Sequence, residues 1–439
     1  YTVSIEHSGF KRYERRQIAL STSERVSVGE VRLELGTVTE TVSVTAEGAA
    51  VQTASAERSG LVSSAQMQNL TVLNRDFTVL LATLPGVVVN SRGETPGFGG
   101  SATFNVQGLR TNTNDVKIDG LPGQDLGNAN DVTAFISMDT IAEVKILVGN
   151  YQAEFGRKPG ASIQAVTKAG TREFHGAAYW YKRHEMFNAN SFFNNRNRIA
   201  EPLYRYTTAG FNVSGPILVP GNRGRDKLFF FFSEEQLRER RPQAIRQVTM
   251  PTEREKRGDF SDSRDLNGAL IPIRDPLANA TFQNNVVPQN RINVLAQRYL
   301  NLFPLPNFFD LAISARRYNY QVQESLVAPK HTETVRIDYN LSQKTSIFGR
   351  FNNFWEDIRG WAVPGGNANW GWLPNTYKDT SRTAVVSATH VFNPTLILEA
   401  SSGVLRATEA GPAQRQEDVE RLSRTKSGVT IPQFYPHNN

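Results

Sequence analysis

Cysteine is absent from all 439 residues, so neither a disulfide framework nor a thiolate metal site is available. Its absence does not separate the cytosol from an oxidising compartment. Long apolar runs are missing too. The densest cluster is Leu228–Phe232 (LFFFF), far short of the ~18 residues of a spanning helix. The 21% charged residues and a mean hydropathy of −0.41 argue against helical membrane spans. They do not argue against a membrane barrel, because its strands place apolar residues only at alternate positions. Catalytic signatures are lacking as well, with no G-x-S-x-G elbow and no phosphate-binding loop. The six histidines (His7, His175, His184, His331, His390, His437) have no metal-ligand spacing. His175 and His184, at opposite ends of one strand, read as interfacial or lumenal polar residues. Asp115 and Asp119 flank a strand without a partner acid or base, and Asp119-Gly120 reads as a turn. Asp125, Asn128, Asn130 and Asp131 could bind calcium, but their glycine- and asparagine-rich surroundings suit a plain loop better. No catalytic residue, metal or cofactor is expected.

The net charge of +7 and the arginines at Arg238, Arg240 and Arg241 raise the question of nucleic acid. The basic residues are scattered through many loops, as on a solvated surface, so no nucleic-acid partner is expected. Length suggests two or three domains. Tyr1–Ile5 already alternates like a strand and no final strand closes the chain, so an internal piece of a longer protein is expected.

Strand candidates open the chain at Tyr1–Glu6, Gln17–Leu20 and Val26–Leu35, the last with Val31, Leu33 and Leu35 alternating against charge. YTVSIEHSGF and VRLELG resemble the carboxypeptidase regulatory-like β-sandwich that precedes many outer-membrane receptors. Then comes an extended stretch, Glu40-Thr41-Val42-Ser43-Val44-Thr45-Ala46, before a small-residue linker reaching Ser59. Such a strand can add its backbone to the open edge of another protein's sheet. It resembles the TonB box of TonB-dependent receptors, which implies TonB as a partner. The plainer reading is a last strand of the preceding sandwich.

Residues 60–168 read as mixed α/β. Ser63 or Ser64 caps a short helix to Leu70, and Asn74 caps a second, Arg75–Leu84, ended by Pro85-Gly86. Strands are expected at Val87–Asn90, Phe104–Gln107, Asp115–Ile118 and Ser162–Lys168. A short helix is expected at Met138–Val144, leading into a strand at Lys145–Val148. The succession NRDF, QGLR, IDG, AEFG and VTKAGT resembles the plug domain of TonB-dependent receptors, in particular the Oar-like group.

From Phe174 onward, strand candidates are Phe174–His184, Tyr204–Ser214, Lys227–Arg238, Thr332–Leu341, Thr345–Glu356, Ser381–Phe392 and Leu396–Arg406. Ser342–Lys344 and Asn393–Thr395 are short turns, whereas 185–203, 239–331 and 357–380 are long loops. That asymmetry marks an outer-membrane barrel, and 239–331 is too long for an ordinary connection. Tyr179, Trp180, Tyr181, Phe354, Trp355 and Phe392 suit interfacial girdles. Plugged transporters of this kind have about 22 strands, so seven leave the sheet open, with an edge at Leu396–Arg406.

The expected fold class is mainly β: a small α/β plug, then the N-terminal strands of an incomplete transmembrane antiparallel barrel, preceded by a sandwich tail. The domains are 1–36 (sandwich), 37–59 (box and linker), 60–170 (plug) and 171–439 (barrel). The resemblance implies a receptor in the Gram-negative outer membrane, in contact with lipid, that passes an extracellular ligand when TonB pulls on the plug. The ligand class stays open among oligosaccharide, peptide, metal chelate and a protein for export. The plug loops 91–101 and 121–131 offer Arg92, Gln124, Asp125, Asn128 and Asn130, polar residues without an evident packing role, as ligand contacts. The rival reading is a surface adhesin or carbohydrate-binding protein without transport.

Overall fold

A computed structural model describes the chain except residues 19–25, 37–40, 46–55, 71, 73–74, 91–102, 125–131, 133, 157, 197–198, 219–226, 243–244, 324, 361–374 and 431–439. The first sheet has the order β1 (Val3–Ile5), β2 (Arg12–Arg16), β3 (Thr41–Thr45), with β3 parallel to β2. The second strand thus lies upstream of the expected Gln17–Leu20. Glu14 makes this charged segment viable by pairing with both Arg12 and Arg16, and Gln17, at φ 62°, ends it. Val26–Glu34 forms no strand despite its alternation, and only Leu35 bridges, to Phe10.

The α/β unit is built on five strands in the order β4-β9-β10-β7-β8. These are β4 (Arg58–Ser63), β7 (Asp115–Ile118), β8 (Leu121–Pro122), β9 (Ile141–Gly149) and β10 (Ser162–Thr167). A separate hairpin joins β5 (Val87–Val89) to β6 (Phe104–Val106). Helix α1 (Ser64–Asn69) starts at a capping box: the Ser63 hydroxyl accepts from Gln66 N and the Gln66 amide oxygen from Ser63 N. The next helix, α2 (Phe77–Leu80), is capped by Asp76 rather than Asn74, because Arg75 turns left-handed at φ 54°. The helix expected at Met138–Val144 is a single 3-10 turn, Met138–Thr140, followed by β9. Two strand partners, β4 and β10, claim Ile141, Val144 and Ile146 for the sheet, which local propensity does not foresee. The core is self-contained, with Val62, Leu81, Phe104, Val116, Ile118, Val144, Ile146 and Ile163 buried together.

Seven antiparallel strands follow, in the order β11-β12-β13-β18-β19-β20-β21. Their ranges are His175–His184, Arg205–Pro216, Leu228–Pro242, Ser325–Asn340, Thr345–Arg359, Thr376–Asn393 and Leu396–Ala410. The long connection between β13 and β18 holds two small ribbons, pairing β14 (Arg246–Val248) with β17 (Tyr320–Val322) and β15 (Arg274–Asp275) with β16 (Ala280–Thr281). Asn285 cross-links that loop, accepting from Ile273 N and donating to the Phe260 and Ile271 carbonyls.

The enclosed face of the large sheet is rich in polar side chains, with Phe231, Phe354 and Val385 also buried, while the open face carries large apolar ones. Thr334, Arg336, Arg350, Asn352, Ser381 and Thr383 are buried against the plug, whereas Val335, Ile337, Phe351 and Val386 lie on the open face. That inversion is the pattern of a membrane barrel. Among the expected girdle aromatics, Trp180, Trp355 and Phe392 are exposed. Phe354 instead turns inward, buried at 3% exposure, and Tyr179 turns inward to hydrogen-bond Glu235. Among the described residues the sheet ends on β11 and β21, each with one unpaired edge.

Candidate functional site: the plug–barrel seam

The plug meets the barrel wall along two seams. The first centres on Asp119, which ends β7 in a left-handed turn with Gly120 (φ 50° and 80°). Its carboxylate accepts from Thr167 N at 2.9 Å, Thr167 Oγ1 at 2.8 Å and Arg350 Nε at 2.6 Å. Arg336 lies 3.6 Å away and donates to the Thr167 carbonyl and hydroxyl at 3.1 and 3.0 Å. The Arg350 side chain is fully enclosed, Asp119 nearly so, at 0% and 1% exposure. A second Arg350 nitrogen donates to Thr383 Oγ1 at 3.1 Å. Nearby, Asn352 donates to the Phe135 carbonyl at 2.6 Å, and Phe135 packs on Phe354 with centroids 4.2 Å apart. Farther along, Leu405 of β21 packs on the plug core. Gly403 leaves room for Leu121, since a Cβ there would stand 2.9 Å from Leu121 Cδ1. The turn at Asp119 was legible in sequence; its barrel partners were not. Arginines at the inward positions of β18 and β19 were the only signal.

The second seam centres on Arg75. Its Nε donates to Glu235 of β13 at 2.8 Å, and its guanidinium also pairs with Asp139 of the plug. The same group lies over the rings of Tyr179 and Tyr181, at 4.5 and 5.1 Å, a cation–π arrangement. Tyr179 donates its hydroxyl to Glu235 at 2.7 Å. Burial opposes the charge on Arg75, but Glu235 and Asp139 outweigh it and hold the guanidinium above its ordinary pKa. Burial pushes neighbouring Lys168 below the usual lysine range, partly countered by Asp139.

The residues expected to carry function are distributed differently. Thr41–Thr45 of the box form β3, at the edge of the N-terminal sheet, while Glu40 and Ala46 lie outside the described residues. The box and the last-strand readings therefore describe the same segment. Arg92, Asp125, Asn128 and Asn130 also lie outside the described residues. Gln124 does have a packing role, contrary to expectation. It is 6% exposed, and its amide oxygen accepts from Val116 N at 3.2 Å and Lys158 Nζ at 2.8 Å. Among the described residues no three metal-ligating side chains converge.

Residues 166–438 match the outer membrane beta barrel domain family, and residues 50–162 match the TonB-dependent receptor plug domain. The TonB-dependent transporter Oar of Myxococcus xanthus is 27% identical over 249 residues, which are 53% of this chain and 21% of the relative. The chain thus spans about a fifth of that relative's length. The outer membrane transporter YddB of Escherichia coli is 11% identical, with a TM-score of 0.46, over 79% of this chain and 38% of the transporter. The ferric-catecholate import receptor Fiu of E. coli K12 is 12% identical, with a TM-score of 0.39, over 82% and 52% of the respective chains. Through residues 166–438 this chain belongs to the outer membrane beta barrel domain family, and residues 50–162 carry the plug domain of TonB-dependent receptors, which together place it in the Gram-negative outer membrane.

Proposed function

We propose that the protein passes an extracellular ligand across the outer membrane when periplasmic TonB pulls on the segment Glu40–Ala46 and shifts the plug. The self-sufficiency of the plug core carries this reading. Its apolar residues pack on one another, with Leu405 the barrel residue packed against them, whereas the closest ties to the wall are ionic and hydrogen-bonded. Such a body moves by breaking a few polar links, without unfolding its own sheet. β3 supplies the handle, because one of its edges is unpaired among the described residues and can accept a strand. The protein itself carries out no bond chemistry on this reading.

Val42→Pro tests it. Proline removes a ladder N–H and blocks strand addition, so binding of the isolated periplasmic TonB domain and energised uptake should both be lost, with ligand binding retained. Uptake at the wild-type rate would remove the box assignment.

A further inference from the structure

Two cavities are stacked along the inner wall formed by β11 and β12. The lower, about 700 Å³, is lined by Ala142, Lys168, His175, Ala177 and Ser214, and so starts at the short-turn end of the strands. The upper, about 290 Å³, is lined by Leu70, Val72, Arg183, Tyr206 and Thr208, nearer the long-loop end. Both share Met67, Gln68, Arg75 and Tyr181, so these four residues form the partition between them.

The two seams are tied unequally. On the β18–β21 side stand Asp119 with two arginines, the Asn352 bond to the plug backbone, the Phe135–Phe354 contact and Leu405 in the plug core. On the β11–β13 side the close charged link is Arg75 to Glu235. Open volume lies on both sides of that link. Arg75 also holds a left-handed backbone at φ 54°, costly for a non-glycine residue and characteristic of positions held for function.

We propose that the ligand's route past the plug runs along β11 and β12 through these two cavities, with Arg75 as the gate between them. The plug stays hinged on β18–β21. When Arg75 leaves Glu235 and the tyrosine faces, upper and lower cavities join into one passage. The inference rests on the proposed TonB-driven movement and adds its location.

These 439 residues contain no cysteine, so single cysteines placed here give a direct test once any cysteine elsewhere in the protein is replaced by serine. Ala142→Cys, in the lower cavity, and Leu121→Cys, at the hinge seam, are placed singly in the full-length protein in its own outer membrane. A membrane-impermeant biotin maleimide is added outside, with and without a protonophore. Energisation should raise labelling at Ala142→Cys roughly tenfold, as when a minor open state grows from about 1% to about 10%, and leave Leu121→Cys protected. Arg75→Gln should raise labelling at position 142 without energy. Should Leu121→Cys fail to insert, Gly403→Cys on the facing strand takes its place. Labelling at the hinge seam alone, at both seams, or at neither overturns the route. If labelling at 142 persists in Val42→Pro, the route stands and the TonB coupling falls.

Discussion

Replacing Asp119 by asparagine isolates the charge that ties plug to barrel. Asparagine has the same shape and tolerates the left-handed backbone of that position, so the turn survives. What is lost is the counter-charge of Arg350, whose side chain is fully enclosed. The loss of one charge-assisted hydrogen bond sets a floor of about 1.5–3 kcal/mol. An uncompensated buried charge sets a ceiling of about 3–5 kcal/mol. Arg350 keeps its bond to Thr383 and Arg336 its bonds to Thr167, which argues for the middle of that span. A loss near 3 kcal/mol corresponds to a roughly 150-fold increase in local opening. An exposed pair such as Arg32–Glu30 would cost at most about 1 kcal/mol. The readout is hydrogen exchange of the Thr167 amide, which donates to Asp119, in the intact protein in outer-membrane vesicles. Combining Asp119→Asn with Arg350→Gln should cost less than the sum of the singles by about 1.5 kcal/mol or more, as for residues in contact. Exchange within threefold of wild type in Asp119→Asn would refute the clasp.

Single cysteines at Lys344 and Thr395 should resist an external impermeant thiol reagent while one at Gly360 reacts; external labelling at Lys344 would reverse the strand orientation. Alanine at Asp125, Asn128 and Asn130 should weaken ligand binding by about 1–3 kcal/mol each if they make desolvated polar contacts, read by titration once a ligand is found; unchanged affinity would leave recognition to the barrel loops. The long loop should be acid-resistant. Hydrogen bonds from Arg291 and from the Leu277 amide hold Asp275 at about 2, and those from Ser261 and Arg254 hold Asp259 at about 2. Both are depressed in the folded loop, so their contribution is complete above the ordinary aspartate value near ~4 and fades as pH falls toward 2. Loop amides already exchanging freely at pH 5 would contradict this.

Each of the seven barrel strands was legible in sequence, because alternation and loop lengths are local properties, although β18 starts at Ser325 and β20 at Thr376, inside stretches read as loop, where pairing with a neighbour extends them. The elements that failed depended on partners. Val31–Leu35 alternates, yet among its residues only Leu35 is paired, to Phe10, and Ile141–Val144 goes to strand, not helix, with β4 and β10 on either side. The site shows the same division. IDG and NRDF marked where the chain turns, since turn chemistry is written in neighbouring residues. That Asp119 would meet Arg350, 231 positions away, and Arg75 would meet Glu235, 160 positions away, is a consequence of inserting one domain into another. Gln124 looked free for a ligand because nothing nearby in sequence needs it; folding brings Lys158 and the β7 backbone to its amide. Sequence by itself determined the barrel strands and the short turns between them. Tertiary structure alone decided the pairing of buried charges and the empty space between plug and wall, because both depend on surfaces that meet only after each domain has formed.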